Sequence, residues 1–317
     1  MRRIDPMVRL LLLATALSTL VPVSERWAGA AQFVSNAAVF ILFFLNGLRL
    51  PRHEVIAGLR RWRLLLPLAL WVFGAMAAVG WTLSHIGGLF APPLVALGFL
   101  FLGTLPSTVQ SATAYSSLAG GDMAVSVIAA ALLNILGVFV TAPLFSLLGG
   151  GAVAAFDSTG LIKVLTILLL PFVLGQIAQA GLGGWAAGHR ALVTWMDRSS
   201  IAIAVYVAFS GAVRQGIWTR IDLAGWSALV VGCVIFLTFG YGGAWLISGA
   251  LGLSRRERIS FLFAGAQKSI AMGAPLATVL FAPAAAGIVL LPTLIYHLAQ
   301  LVVSAPLAAR LARAEAT

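Results

Sequence analysis

The sequence predicts an all-α integral membrane protein of ten transmembrane helices, built as two inverted five-helix repeats in which helices four and nine are interrupted. Three observations predict it. Apolar side chains make up 61% of the 317 residues and charged ones 9%, with a mean hydropathy of +1.03, whereas a soluble domain carries roughly a quarter charged residues. Basic residues crowd onto alternate loops, and short motifs recur in order along the chain. A span needs about 20 apolar residues to cross a core of about 30 Å, so the chain has room for about ten spans and no sizeable soluble domain.

Apolar runs bounded by Arg, Pro, Gly and Asp clusters place the spans at 7–23, 31–50, 62–84, 94–119, 123–148, 160–180, 198–216, 224–251, 259–282 and 285–309. Span one, preceded by Arg2 and Arg3 and followed by Ala28-Gly29-Ala30, imitates a cleavable secretory signal. It is read as a retained helix, because its removal leaves nine spans and spoils the charge distribution. Span two ends at Arg49, and span three follows the cluster Arg60, Arg61 and Arg63. Span four carries Pro106 at mid-run, span five Asn134, span nine Lys268 and span ten His297. Barrel strands are excluded because the runs lack an alternating polar and apolar period.

With the N-terminus inside, fifteen of the twenty basic residues fall on the cytoplasmic side, including Arg2, Arg3, Arg49, Arg52, Arg60, Arg61, Arg190, Arg255, Arg256 and Arg310. Only Arg26, Lys163, Arg214 and Arg220 fall outside, and Lys268 lies within a span. The positive-inside rule thus predicts a multi-pass bacterial inner-membrane protein with both termini cytoplasmic. The net charge of +11 is mostly topology. Without a folded basic domain, nucleic-acid binding is excluded. The single Cys233 excludes a disulfide framework, Cys-rich zinc and paired redox thiols; no metal or cofactor is expected. Trp62, Trp81 and Trp218 near span ends fit an interfacial belt.

Phe44-Leu45-Asn46-Gly47 matches Phe209-Ser210-Gly211, Val109-Gln110-Ser111 matches Ala266-Gln267-Lys268-Ser269, and Thr141-Ala142-Pro143-Leu144 matches Ser304-Ala305-Pro306-Leu307, at offsets of 157 to 164 positions. Two halves follow, 1–151 and 152–317. Five spans per half force opposite orientations, the inverted-repeat design of many secondary transporters.

The site is read from the interrupted spans. Span four holds Ser107, Thr108, Gln110, Ser111 and Thr113 after Pro106, and span nine holds Gln267, Lys268 and Ser269 between Gly265 and Pro275. Proline removes a backbone donor and disfavours helical geometry before it, so a break near Leu105 frees carbonyls that need partners in lipid. Paired interruptions in the two halves point to a substrate site near the midplane. Lys268 lies ten positions after Arg258, about 15 Å along a helix and so near mid-bilayer. No Asp or Glu lies within a span core to neutralise it; Asp122 and Asp157 are near loop ends. Its partners are helix C-terminal carbonyls, the amides of Gln110 and Gln267, or an anionic ligand. Asn134 and His297 are candidates to line the same cavity.

These stretches, with Phe43-Phe44-Leu45-Asn46-Gly47-Leu48, Leu105-Pro106-Ser107-Thr108-Val109-Gln110-Ser111-Ala112 and Leu168-Leu169-Leu170-Pro171-Phe172-Val173-Leu174-Gly175-Gln176, resemble the bile acid:sodium symporter superfamily. They look most like its bacterial branch related to the seventh mammalian member. The resemblance implies crossed broken helices four and nine and alternating access between a panel domain (helices 1, 2, 6 and 7) and a core domain (helices 3–5 and 8–10). By the same resemblance, sodium ligands would fall at or near Ala112, Thr113, Ser126 and Gln267. The family's helix-nine Glu falls at Phe263, and an uncharged Asn is replaced by Lys268. A lost carboxylate and a gained ammonium disfavour sodium.

The expected function is secondary transport of an organic anion across the lipid bilayer by a monomer, with Lys268 as a fixed or protonatable positive charge at the crossover. The alternative is a non-transporting regulator of calcium handling that keeps the fold, as the mammalian relative is linked more to calcium regulation than to bile acid uptake. An intramembrane enzyme is disfavoured, because four scattered His and no core carboxylate supply no acid–base pair.

Overall fold

The computed structural model describes residues 6–49, 61–149 and 165–316, and all regular structure among them is helical. In chain order the main helices are α1 (Pro6–Leu20), α2 (Ala28–Arg49), α3 (Trp62–Gly87), α4 (Pro93–Thr104), α5 (Gln110–Leu118), α6 (Met123–Gly149), α7 (Leu170–Gly188), α8 (Arg190–Arg214), α9 (Leu223–Ala250), α10 (Arg255–Ala266), α11 (Ile270–Leu280) and α12 (Pro283–Ala316). Arg2, Arg3, Arg52, Arg60, Asp157 and Lys163 lie outside the described residues.

Among the described residues seven helices are long and apolar enough to cross a membrane. The predicted spans four and nine fall outside that set because each is cut in two, and span one because α1 has only 15 residues.

The described residues divide into two compact units. One comprises 6–49, 165–221 and 273–290, and contains α1, α2, α7 and α8. Its backbones approach closely where glycine permits. A Cβ on Gly47 would collide with the Phe172 carbonyl, and one on Gly175 with the Phe44 carbonyl. Small residues at such crossings replace the hydrophobic drive that lipid cannot supply. Gln176 donates to the Gly47 carbonyl, Gln179 Nε2 donates to that of Leu48 at 3.3 Å, and Leu45, Leu48, Ala186 and Val193 fill the core beside them. Arg49 pairs with Asp197 of α8 and donates to Asn46 Oδ1 at 3.1 Å. Arg49, counted in the sequence only among the cytoplasmic charges, thus ties α2 to α8.

The second unit comprises 61–149, 222–272 and 291–316. Within it α3 and α4 meet at Gly80 and Gly103, where a Cβ on either would press on the other's backbone. A π-helical turn at Trp71–Ala75 widens α3, and such turns release carbonyls from the regular ladder. Trp71 stacks on Phe239 of α9 with centroids 4.9 Å apart and fills the space left by Gly243 and Gly265.

Gly175→Ala is expected to destabilise the purified protein by about 1–3 kcal/mol through overpacking against α2. Gly181→Ala, on the same helix with nothing within 4 Å of the added methyl, should be neutral or slightly stabilising. Equal melting temperatures for the two variants would contradict the reciprocal glycine contact.

Candidate functional site

The two interruptions have the same backbone form. α4 ends at Leu105 with φ −71° and ψ 147°, the residue before Pro106, and α10 ends at Gln267 with φ −79° and ψ 147°. Each is followed by a short extended stretch before α5 and α11 begin. The first break falls where the proline predicts it. The second falls at the Gln267-Lys268-Ser269 motif, while Pro275 is accommodated inside α11. The two stretches touch through Ser269 N–H, which donates to the Pro106 carbonyl at 2.9 Å.

Lys268 is fully buried, and its Nζ donates to the carbonyls of Leu105 at 2.8 Å, Gly103 at 2.9 Å and Val72 at 3.0 Å. An ammonium has three donors and no acceptor, and here each donor has a carbonyl. Two of the acceptors belong to the C-terminal end of α4, where unpaired carbonyls and the helix dipole favour a cation. The third comes from the π turn of α3. Of the partners open to the sequence reading, backbone carbonyls hold the side chain.

The remaining freed backbone groups are met in turn. Lys268 N–H donates to Gln300 Oε1 at 2.8 Å, and Gln300 Nε2 donates to the Lys268 carbonyl at 3.0 Å. Tyr296 Oη donates to the Ala266 carbonyl at 2.6 Å, Asn134 Nδ2 to that of Ser107 at 3.2 Å, and Ser107 Oγ to that of Thr108 at 3.4 Å. Ser269 Oγ accepts from Met272 N–H at 3.2 Å and so opens α11. His297 Nδ1 lies 3.4 Å from the Lys268 carbonyl and 2.9 Å from Gln300 Nε2. Irregular backbone at membrane depth survives only with such partners.

Beside this cage Gln267 joins the first broken helix to α12. Its Oε1 accepts from Thr108 and Ser111 hydroxyls, each at 2.5 Å, and its Nε2 donates to Ser304 Oγ at 3.1 Å, which lies 2.6 Å from Tyr241 Oη. Ser107, Thr108, Ser111, Asn134, Gln267, Lys268, Ser269 and His297 are thus brought together. Gln110, at the first turn of α5, is exposed and its side-chain amide makes no hydrogen bond among the described residues, while Thr113 turns its hydroxyl back to Val109 O at 2.8 Å and Gln110 O at 3.1 Å. Ser126 is buried in α6 with no partner for its hydroxyl among the described residues. Phe263 is buried, with its ring 6.0 Å from Tyr115 and 6.4 Å from Tyr241.

The model of the SBF-like CPA transporter family matches residues 5–313. The chain belongs to that family. It is 37% identical over 308 residues to an uncharacterized protein of Pseudomonas aeruginosa, which covers 96% of this chain and 92% of that one. It is 34% identical over 325 residues to YfeH of Escherichia coli strain K12, whose name carries the word symporter, covering 98% of this chain and 94% of that one. The mouse sodium/bile acid cotransporter 7 is 24% identical over 285 residues, with coverage of 86% and 82%. This SBF-like chain is a multi-pass membrane protein of a transporter family rather than an enzyme family, and two of these relatives carry the names symporter and cotransporter.

The sequence reading missed Gln300, Tyr296 and Tyr241. A signal for the first existed: His297, Gln300 and Ser304 share one face of an otherwise apolar helix at i, i+3 and i+7. Gln300→Leu leaves the Lys268 amide unmet and its carbonyl with only His297 Nδ1 at 3.4 Å, and should destabilise the SBF-like protein by about 2–5 kcal/mol in chemical denaturation. Gln110→Leu should leave stability unchanged. A Gln300→Leu protein as stable as wild type would contradict the assigned role.

Proposed function

We propose that the chain is a secondary transporter of an organic anion that works by alternating access without sodium, with the buried Lys268 ammonium standing where an exchangeable cation would otherwise be required. The single observation that carries this reading is the triad of backbone carbonyls around Lys268 Nζ. Such a cluster of carbonyl oxygens also suits an alkali cation, and a tethered ammonium supplies the same charge and more direction. Coulomb repulsion from this ammonium disfavours a second cation nearby. The residues that resemblance assigns to sodium point the same way: Phe263 and Ala112 are apolar and buried, and Gln267 is engaged by Thr108, Ser111 and Ser304.

In this reading the chain makes ten crossings as two inverted repeats, 1–151 and 152–317, and acts as a monomer in the bacterial inner membrane with both termini cytoplasmic. The unit containing α1, α2, α7 and α8 serves as the panel, and the unit containing the broken helices as the core. The anion does not touch Lys268, which has neither exposed surface nor a spare donor. It meets the free amide of Gln110 and the N-terminal end of α5, whose unpaired N–H groups attract negative charge. Ser111 and Thr113 flank that end, and Asn134, whose Nδ2 donates to the Ser107 carbonyl, lies beside it. Lys268 contributes by holding the crossover and by its unneutralised charge.

Uptake of taurocholate and of short dicarboxylates into proteoliposomes, in sodium and in choline buffers, tests this. Flux of at least one anion is expected, equal in the two buffers. Lys268→Gln, which leaves carbonyls with fewer donors, should reduce it about tenfold or more, and Lys268→Arg less. Lys268→Asn combined with Phe263→Glu should introduce a sodium response. Sodium-stimulated flux by the unmodified protein would overturn the uncoupled reading, and absence of flux for every anion would favour the regulator.

A further inference from the structure

A cavity of about 500 Å³ in the second unit is lined by Arg61, Arg63, Leu64, Asp122, Ser254 and Arg256, with Leu253 and Glu257 at its side. It lies where three elements begin: α3 after Arg61, α6 after Asp122, and α10 after Ser254. None of these residues belongs to the crossover, and in the sequence the arginines count only toward the cytoplasmic charge.

The acidic groups of the cavity are already committed. Asp122 Oδ1 accepts from Val125 N–H at 3.1 Å, capping α6, and Oδ2 accepts from Arg61 at 3.4 Å. Burial alone would raise the Asp122 carboxyl, but the Val125 amide, Arg61 and the Ala124 amide outweigh it and hold the group below its ordinary value. Glu257 closes a capping box with Ser254, accepting from its N–H at 3.0 Å and its Oγ at 2.7 Å. Among the described residues the guanidinium groups of Arg63 and Arg256 make no hydrogen bond or ion pair; Arg63 lies only 5.7 Å from the centre of the Trp62 ring.

Arg256 differs from its neighbours. Arg255 donates to the Leu311 carbonyl at 2.7 Å, and Arg258 lies over the Trp245 ring at 4.1 Å and donates to the Trp245 carbonyl at 3.2 Å. Both are spent on packing α10, while Arg256 lines the cavity. The cavity wall is held firmly, because Asp122 N–H donates to the Arg256 carbonyl at 3.1 Å and Ser260 Oγ to the Asp122 carbonyl at 2.9 Å. Two uncommitted planar guanidinium groups on a fixed frame suit a phosphate, which each can grip through two parallel N–H donors. The volume exceeds that of inorganic phosphate alone and falls in the usual range for a small-molecule site, about 300–1,000 Å³.

We propose that Arg63 and Arg256 form an anion site for a phosphate group, carried either by a phospholipid headgroup or by a free phosphate compound, that binds α3 and α10 together. It is separate from the transport site and does not rest on the transport reading. Since α10 carries one half of a broken helix, occupancy favours the arrangement in which its N-terminal end is joined to that of α3. Basic clusters at helix ends beside the bilayer are the usual receptors for acidic headgroups.

The full-length protein in phosphatidylcholine nanodiscs would be melted at increasing inorganic phosphate against chloride of equal ionic strength, and separately in nanodiscs containing phosphatidylglycerol without phosphate. A rise in Tm is expected in at least one arm. A response to inorganic phosphate identifies a free phosphate compound, and a response to phosphatidylglycerol alone identifies the headgroup. The double variant Arg63→Gln, Arg256→Gln should weaken the response about tenfold, since it removes charge-assisted bonds, and Arg63→Gln alone should weaken it in part. Arg190→Gln, which removes equal charge from the other unit, should not. No shift in either arm, or a shift of equal size in the double variant and wild type, would overturn the proposal.

Discussion

Backbone carbonyls freed by two helix breaks must find donors where water is absent, and this requirement shapes the second unit more than any other. Leaving one such group unmet costs several kcal/mol in hydrocarbon. Leu105, Pro106, Ser107, Ala266 and Lys268 each have a partner for the carbonyl that the break releases. Lys268 answers three carbonyls at once with a single charged group, two from the end of α4 and one from the π turn of α3. The π turn and the lysine explain one another: the widened turn at Trp71–Ala75 would leave Val72 short of a donor, and the ammonium would otherwise have two acceptors for three hydrogens.

The cost of placing a charge there is offset by charge-assisted hydrogen bonds of about 1.5–3 kcal/mol each and by the negative end of the α4 dipole. A cation fixed by a covalent tether differs from a dissociable one in a functional way. In the proposed transport reading it neither enters nor leaves during a cycle, so the crossover would stay organised in every state and no ion gradient would be consumed by its occupancy. Relatives named as sodium cotransporters are similar over most of this chain, and Lys268 with Phe263 marks where this sequence departs from the pattern implied for them.

Much of this was legible in the sequence, and for identifiable reasons. Hydropathy located the long helices because apolar length is a one-dimensional property. The break at Leu105 was readable because Pro106 constrains its neighbour directly. Lys268 stood out because charge is rare at that depth. What remained hidden depends on which helices meet. The π turn has no motif in Trp71-Val72-Phe73-Gly74-Ala75, and the reciprocal seats of Gly47 against Phe172 and Gly175 against Phe44 require knowledge that α2 and α7 cross. Gln300, although it shares a helix face with His297 and Ser304, looks like ordinary helix packing until its two bonds to the Lys268 backbone are seen.

The most direct test of the tethered-cation account is a high-resolution cryo-electron microscopy comparison of the protein in sodium and in choline buffers. The account predicts the same density in both, with Lys268 Nζ 2.8 to 3.0 Å from the carbonyl oxygens of Leu105, Gly103 and Val72 and no separate ion among them. A sodium-dependent peak among those oxygens or beside Gln267, with the Lys268 side chain turned away, would contradict it.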